Sequence, residues 1–237
     1  MEPEENPVTG EKSVLEEVRM ANGQGWYTSL KKGGSIGDIY VTDLKRDDKG
    51  GIVLDKVLQN VTLADEYVYA GNFDPKYTMG LANSFSWKGL EFDFVIHARF
   101  GGVGVSVTEA VMDQFGMSKA TAIARDNGGV WVSGQQIPAK NYYSMIGWSR
   151  VRSMYTYDAT NIRLAEMSIA YHIPVRRWVN WIQDVRVALV GRNLLMLYNK
   201  APFDPESTAS TGTWYQGIDS FRQPSSRNMG FSVNLTF

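Results

Sequence analysis

The sequence predicts an all-β chain: the C-terminal strands of a transmembrane antiparallel β-barrel, a partial barrel wall whose long extracellular loops contain short helices. Three observations carry this. In the last ten residues, N-M-G-F-S-V-N-L-T-F, Met229, Phe231, Val233, Leu235 and Phe237 fall on one face of an extended strand, and Gly230, Ser232, Asn234 and Thr236 on the other. In Leu90–Phe100, Leu90, Phe92, Phe94, Ile96, Ala98 and Phe100 share one face, while Glu91, Asp93, His97 and Arg99 share the other with Val95. No run of 18 apolar residues exists, which excludes a membrane-spanning helix but not a spanning strand, whose lipid-facing residues are only every second one.

The composition excludes several functions. The 237 residues carry a net charge of −1 with scattered basic residues, so nucleic acid is not an expected partner. There is no cysteine, hence no disulfide, thiol nucleophile or cysteine metal site, and only His97 and His172 offer imidazole. The opening M-E-P-E-E-N-P has neither the basic nor the apolar part of an export signal. For an exported barrel, the expectation is that the signal lies elsewhere, this chain being the C-terminal piece of a longer polypeptide.

In order, residues 1–35 mix charge, Gly and Pro and read as a loop. Ser13 and Glu16 fit a capping box over Ser13–Met20, but Val14, Leu15 and Val18 make too narrow a stripe for a helix. Ile36–Leu44 reads as a short strand and Lys45–Gly51 as a charged turn. Residues 1–70 are thus expected as an extracellular loop region with a short strand, and 71–237 as barrel strands.

Met79–Trp87 is the first of these, joined by a tight Lys88-Gly89 turn to Leu90–Phe100. Two acids, a histidine and an arginine on one strand face resemble an acid/base set, but no nucleophile or metal constellation accompanies them. Mixed charge facing a barrel lumen explains them without chemistry. Gly101–Tyr157 is too long for a turn and holds two helix candidates, Thr108–Phe115 and Ser118–Arg125, the second ended by Asp126-Asn127-Gly128-Gly129. The glycines of F-G-G-V-G-V (Phe100–Val105) lack the third Gly and the strand–turn–helix context of a dinucleotide site.

Asn161–Ile173 is the next strand. Ile162 and Leu164 are apolar at even positions, whereas Met167, Ile169 and Tyr171 continue at odd ones; the slip near Ala165-Glu166 predicts a β-bulge. Arg176, Arg177, Trp178 and Trp181 in the following turn suit a membrane interface. Val185–Leu195 runs back, Tyr198–Gln223 forms a last long loop, and the terminal strand ends on the periplasmic side.

The stretches N-I-R-L-A-E-M-S-I-A-Y-H-I-P (Asn161–Pro174), V-A-L-V-G-R-N-L-L (Val187–Leu195), F-D-P-E (Phe203–Glu206), Y-Q-G-I-D (Tyr215–Asp219) and the final N-L-T-F resemble the C-terminal end of SusC/RagA-type TonB-dependent outer-membrane transporters. The resemblance implies a non-enzymatic importer of oligosaccharides or peptides in the cell outer membrane, driven through TonB and partnered by a SusD-like surface lipoprotein. The plug and TonB-contact segment would belong to an N-terminal region missing here. The family often carries a calcium-loop-like motif near Asp43 and Asp47. Lys45 replaces its middle oxygen ligand and Asp48 its glycine, so neither a metal nor another cofactor is expected.

Trp214, Tyr215, Asp219 and Arg222 in the last loop are candidate contacts to cargo or lipoprotein, through aromatic faces and charged hydrogen-bonding groups. The same residues also suit folding the loop on itself. Phe237 resembles the terminal aromatic by which barrel-assembly machinery recognises its clients. A secreted soluble β-sandwich, such as a glycan-binding module, shares the alternating strands but turns its apolar face to a core.

Overall fold

The structure is a computed structural model that describes residues 4–5, 12–13, 16–55, 57–58, 60–148, 151–179, 181–207 and 215–237. Strands β1 (Glu17–Gly23), β2 (Trp26–Lys31), β3 (Asp38–Val41) and β4 (Val68–Asn72) are followed by β5 (Tyr77–Trp87), β6 (Leu90–Phe100) and β7 (Val103–Ser106). Next come helices α1 (Val107–Gln114), α2 (Lys119–Asp126) and α3 (Ala139–Trp148). The remaining long elements are β8 (Asn161–Ile173) and β9 (Asp184–Asn199), the short β10 (Ile218–Asp219), and β11 (Asn228–Thr236). Among the described residues no helix is long and apolar enough to cross a membrane.

The chain forms two compact units. One comprises Met1–Asp74, Gly102–Tyr157 and Thr208–Arg222; the other comprises Pro75–Gly101, Asp158–Ser207 and Gln223–Phe237. The expected segments, 1–70 and 71–237, run consecutively, whereas the units interleave: the long connections that follow β6 and β9 belong with the N-terminal part.

The second unit is a five-stranded antiparallel sheet in the order β11-β9-β8-β6-β5. The Lys88-Gly89 turn has φ values of 48° and 86°, the two left-handed residues that a two-residue hairpin matching strand twist requires. Registers carry apolar rows across all five strands: Phe85, Phe92, Ile169, Leu189 and Phe231 in one, and Trp87, Leu90, Tyr171, Val187 and Val233 in the next. This face is open to the surroundings, with Phe231 78%, Leu189 64% and Phe85 57% exposed. Glu91, Asp93, His97, Arg163, Glu166, His172, Arg186 and Arg192 lie on the opposite face.

The bulge expected near Ala165-Glu166 is present. Leu164 pairs with Ile96 and Leu195, Glu166 pairs with Val95 and Arg192, and Ala165 pairs in neither ladder. One extra residue lets Arg163 and Glu166, an odd and an even position, share the polar side.

In the first unit the expected loop over residues 1–35 is corrected: β1 and β2 are a hairpin in the antiparallel sheet β1-β2-β3-β4. Trp26, Tyr27, Thr28 and Ser29 are all buried, so both faces of β2 are covered and the alternation that marks a half-buried strand is absent. Trp26, Ile39, Val41, Phe73, Val105 and Ile218 form one core cluster. Leu44, Val61, Ala110, Tyr142, Ile146 and Tyr155 belong to a second, built around α1 and α3. The Tyr198–Gln223 loop also contains structure, since β9 continues to Asn199 and β10 pairs in parallel with β7 through Val105↔Ile218 and Ser106↔Asp219.

Candidate functional site

The last loop places Tyr215 at a cleft in the first unit. Its floor is Trp26, Val107 and Ile218, and Tyr215 meets the Trp26 ring edge-on with centroids 5.9 Å apart. Asn22, near the end of β1, and Gln24, in the turn that follows, also line it, with Ser220 and Arg222. Its volume is about 660 Å³, within the range of roughly 300–1,000 Å³ usual for small-molecule sites. Gly23 permits the close approach of indole and hairpin: a Cβ there would stand 2.3 Å from Trp26 Nε1.

Of the four loop candidates, Tyr215 and Arg222 reach this cleft. Asp219 does not: it is buried and accepts a 2.8 Å hydrogen bond from the Ser106 hydroxyl. Ser106 is the N-cap of α1 and its oxygen accepts from the Glu109 N–H, so Asp219 fastens β10 to a helix start. Trp214 lies outside the described residues. Phe237 is exposed and stacks on Trp181, centroids 5.6 Å apart and planes within 8°. Trp26, Asn22 and Gln24 were not foreseen, because it is the packing of Trp26 with Val105 and Ile218 in one core cluster that brings the hairpin to the last loop.

Other polar groups are engaged structurally. Tyr27, Tyr40 and Tyr69 are paired across β2, β3 and β4, and Lys31 Nζ stands 3.8 Å over the Tyr40 ring. Asp38 accepts from the hydroxyl of Tyr69 in this ladder: burial alone would raise its pKa, but the Ser35 N–H, the Asn72 amide and the Ser35 and Tyr69 hydroxyls hold it below the usual carboxylate value. Burial, with Tyr143 and Asp113 nearby, pushes Tyr142 up to about 12, so it stays a neutral core group. Asp43 accepts from the Ser153 hydroxyl and Asp47 from the Lys49 and Gly51 N–H groups, which leaves the two carboxylates serving the turn.

On the polar face of the five-stranded sheet, Glu91 accepts from Arg186 and lies 3.3 Å from His172 Nε2, whose Nδ1 is 3.0 Å from Asp184. Asp93 accepts from Ser84 and Ser168. Arg163 spans Asp204 at 3.0 Å and Glu206 at 3.2 Å. The N-I-R-L and F-D-P-E stretches therefore meet in space.

No family model matches the chain. TonB-dependent receptor P3 of Formosa agariphila is 24% identical over 222 residues, covering 89% of this chain and 21% of that protein. TonB-dependent receptor P26 of the same organism is 26% identical over 180 residues, covering 73% and 18%. The chain is a relative of the TonB-dependent receptors. It spans about a fifth of the length of these curated relatives. Its fold is that of solved structures of the RagAB peptide importer: the "open-open" state superposes with a TM-score of 0.58 at 16% identity, over 93% of this chain and 28% of the other. The "closed-closed" state gives 0.55 at 18% identity with the same coverage. TonB-dependent receptors are outer-membrane proteins, and the outer membrane is the location of this relative.

Proposed function

We propose that this chain is the C-terminal barrel segment and part of the outer loops of an active transporter that imports oligosaccharides or peptides. The energy would come through TonB and the partner would be a SusD-like lipoprotein. The observation that carries this reading is the five-stranded sheet with one continuous apolar face and every charge on the other. In hydrocarbon each unsatisfied backbone group costs several kcal/mol, so spanning sheets close into barrels. β5 and β11 each have one neighbour among the described residues, and in a barrel of about 22 strands both edges would be paired. A soluble β-sandwich fits less well, because its apolar face would be covered by a second sheet, whereas Met229, Phe231 and Leu189 are open. The RagAB likeness favours peptides as cargo, and the aromatic cleft favours sugars.

The test is uptake by cells. A strain lacking the full-length protein is compared with its parent for import of labelled oligosaccharides and peptides, with and without a functional TonB. The expected result is loss of one class of cargo in both mutants; unchanged uptake of every cargo overturns the reading.

A further inference from the structure

We propose that the groove formed by α1, α2 and α3 binds a short peptide that carries a carboxylate at one end and an apolar side chain at the other. The inference names a cargo class and rests on the import reading for the ligand's route, although binding itself is separable from transport.

Two clefts that share a wall make up the groove. Arg125 of α2 and Lys140 and Tyr143 of α3 line the first, of about 560 Å³, and Met145 and Trp148 line the second, of about 310 Å³. Gln114, Phe115 and Ser144 line both. The spacing of Lys140, Tyr143, Ser144 and Trp148 places them along one side of α3. At a rise of about 1.5 Å per residue, Lys140 and Trp148 stand about 12 Å apart along the helix, the length of about three or four residues of extended peptide.

The first end is basic. Lys140 is exposed and has no side-chain partner among the described residues, and Arg125 donates Nη1 to the Gly116 carbonyl at 2.9 Å, which leaves its charge unpaired. The one carboxylate of the described lining, Asp113, is buried and accepts from the Tyr155 hydroxyl, so two exposed cations stand against a single buried anion. The first turn of α3 holds no acidic residue, so an incoming carboxylate also meets the positive end of the helix dipole. The other end is apolar: Phe115 is 67% and Trp148 73% exposed, beside Met145. A hydrocarbon side chain laid there removes that surface from water. Between the ends, the Gln114 amide and the Ser144 oxygen offer a donor and acceptors to a peptide backbone. An acidic sugar would satisfy the basic end only. At the apolar end the further polar side chain of the described lining, Asn60, is engaged by the Asn141 carbonyl and the Val61 N–H and does not serve ring hydroxyls.

Purified full-length protein in detergent, titrated by calorimetry, tests the inference. The probes are acetyl-Leu-Ala-Ala-Glu-amide, its Gln and Leu-to-Ala analogues, and trigalacturonate as the acidic sugar; blocked ends leave the Glu side chain as the peptide's only charge. The Leu/Glu peptide is expected to bind about tenfold or more tighter than the Gln analogue, as loss of a charge-assisted hydrogen bond dictates, and about tenfold tighter than the Ala analogue, as loss of a buried leucine dictates. It should also bind tighter than trigalacturonate. Lys140→Gln, which disturbs no contact of its own, should reduce the Glu-over-Gln preference and leave the Leu-over-Ala preference; Trp148→Ala should do the opposite, so that each variant vouches for the fold of the other. Equal binding of the Glu and Gln peptides or of the Leu and Ala peptides, tighter binding of trigalacturonate, no binding of any probe, or preferences that survive both variants overturns the inference. Binding with no cellular uptake of peptides leaves it standing and removes the import reading; uptake of such peptides with no binding at this groove does the reverse.

Discussion

Arg163 and Asp204 form an ion pair that both keep from water: Nη2 lies 3.0 Å from Oδ1, and the side chains are 6% and 7% exposed. Asp204 Oδ2 accepts in addition from the Ser225 N–H and hydroxyl, so one carboxylate joins β8 to both ends of the last loop. Removing one member of a buried pair leaves the other uncompensated, at about 3–5 kcal/mol. Because Glu206 remains 3.2 Å from Arg163, Asp204→Asn should cost about 3 kcal/mol, the low end of that range. Chemical denaturation of the full-length protein in detergent checks it, and a loss below that of an ordinary surface substitution would contradict the buried-pair account.

The same carboxylate makes the loop acid-sensitive. Burial pushes the pKa of Asp204 up, but hydrogen bonds from Ser225, the Glu206 N–H and Arg163 outweigh it and hold the group below its usual value. A carboxylate lowered on folding contributes stability that is complete above its unfolded value, about 3.9, and is lost as pH falls through the lower folded one. Pepsin cleavage within residues 200–207 should therefore rise as pH drops below about 4. In Asp204→Asn, cleavage should be high at every pH where pepsin works.

Phe94 and Asp93 are neighbours in β6 on opposite faces of the sheet. Across the strands Phe94 faces Asn83 and Met167, whereas Asp93 binds Ser84 and Ser168. Single cysteines at the two positions in the full-length protein, treated with a water-soluble thiol reagent, should react slowly at Phe94 and readily at Asp93. Equal rates would place the apolar face in water.

Ala165 sets the phase of β8. Without it, either Asn161–Leu164 or Glu166–Ile173 must change face. The first option turns Arg163 onto the apolar face and breaks its buried pair with Asp204, at about 3–5 kcal/mol. Deleting Ala165 should abolish the heat-modifiable band of the assembled protein, while Ala165→Gly, which keeps the residue count, should retain it.

Legibility in the sequence followed the solvent on each face. β6, β8 and β11 read clearly because their sheet keeps apolar residues on one face and polar groups on the other, which imposes a period of two, and even the Ala165 slip shows as a change of phase. β2 did not, because Trp26, Tyr27, Thr28 and Ser29 are buried on both sides. α3 escaped for another reason: its place is fixed by packing against α1, where a Cβ at Gly147 would stand 2.6 Å from Gln114 Cβ and 2.9 Å from the Ala110 carbonyl. At the cleft, Tyr215 and Arg222 were legible as exposed aromatic and charged loop residues. Asp219 looked equivalent, because nothing local reveals that Ser106, 113 positions earlier, lies within hydrogen-bonding distance.

Phe237 carries the last prediction. The sequence reading makes it an assembly signal; the geometry adds a stack on Trp181 at 5.6 Å, beside a chain turn suited to the membrane interface. If the ring matters only as packed surface, deleting Phe237 should resemble Leu235→Ala, a loss of about 1.5–3 kcal/mol of burial at most, and Trp181→Ala should reproduce much of it by removing the stacking partner. Recognition by assembly machinery predicts otherwise. Deleting Phe237 from the full-length protein should lower the amount inserted in the outer membrane far more than either Leu235→Ala or Trp181→Ala, while the molecules that do insert keep normal stability. Quantifying inserted protein in outer-membrane fractions, with thermal unfolding of that fraction alongside, separates the two. Equal insertion for the three variants would leave Phe237 as the partner of Trp181 and nothing more.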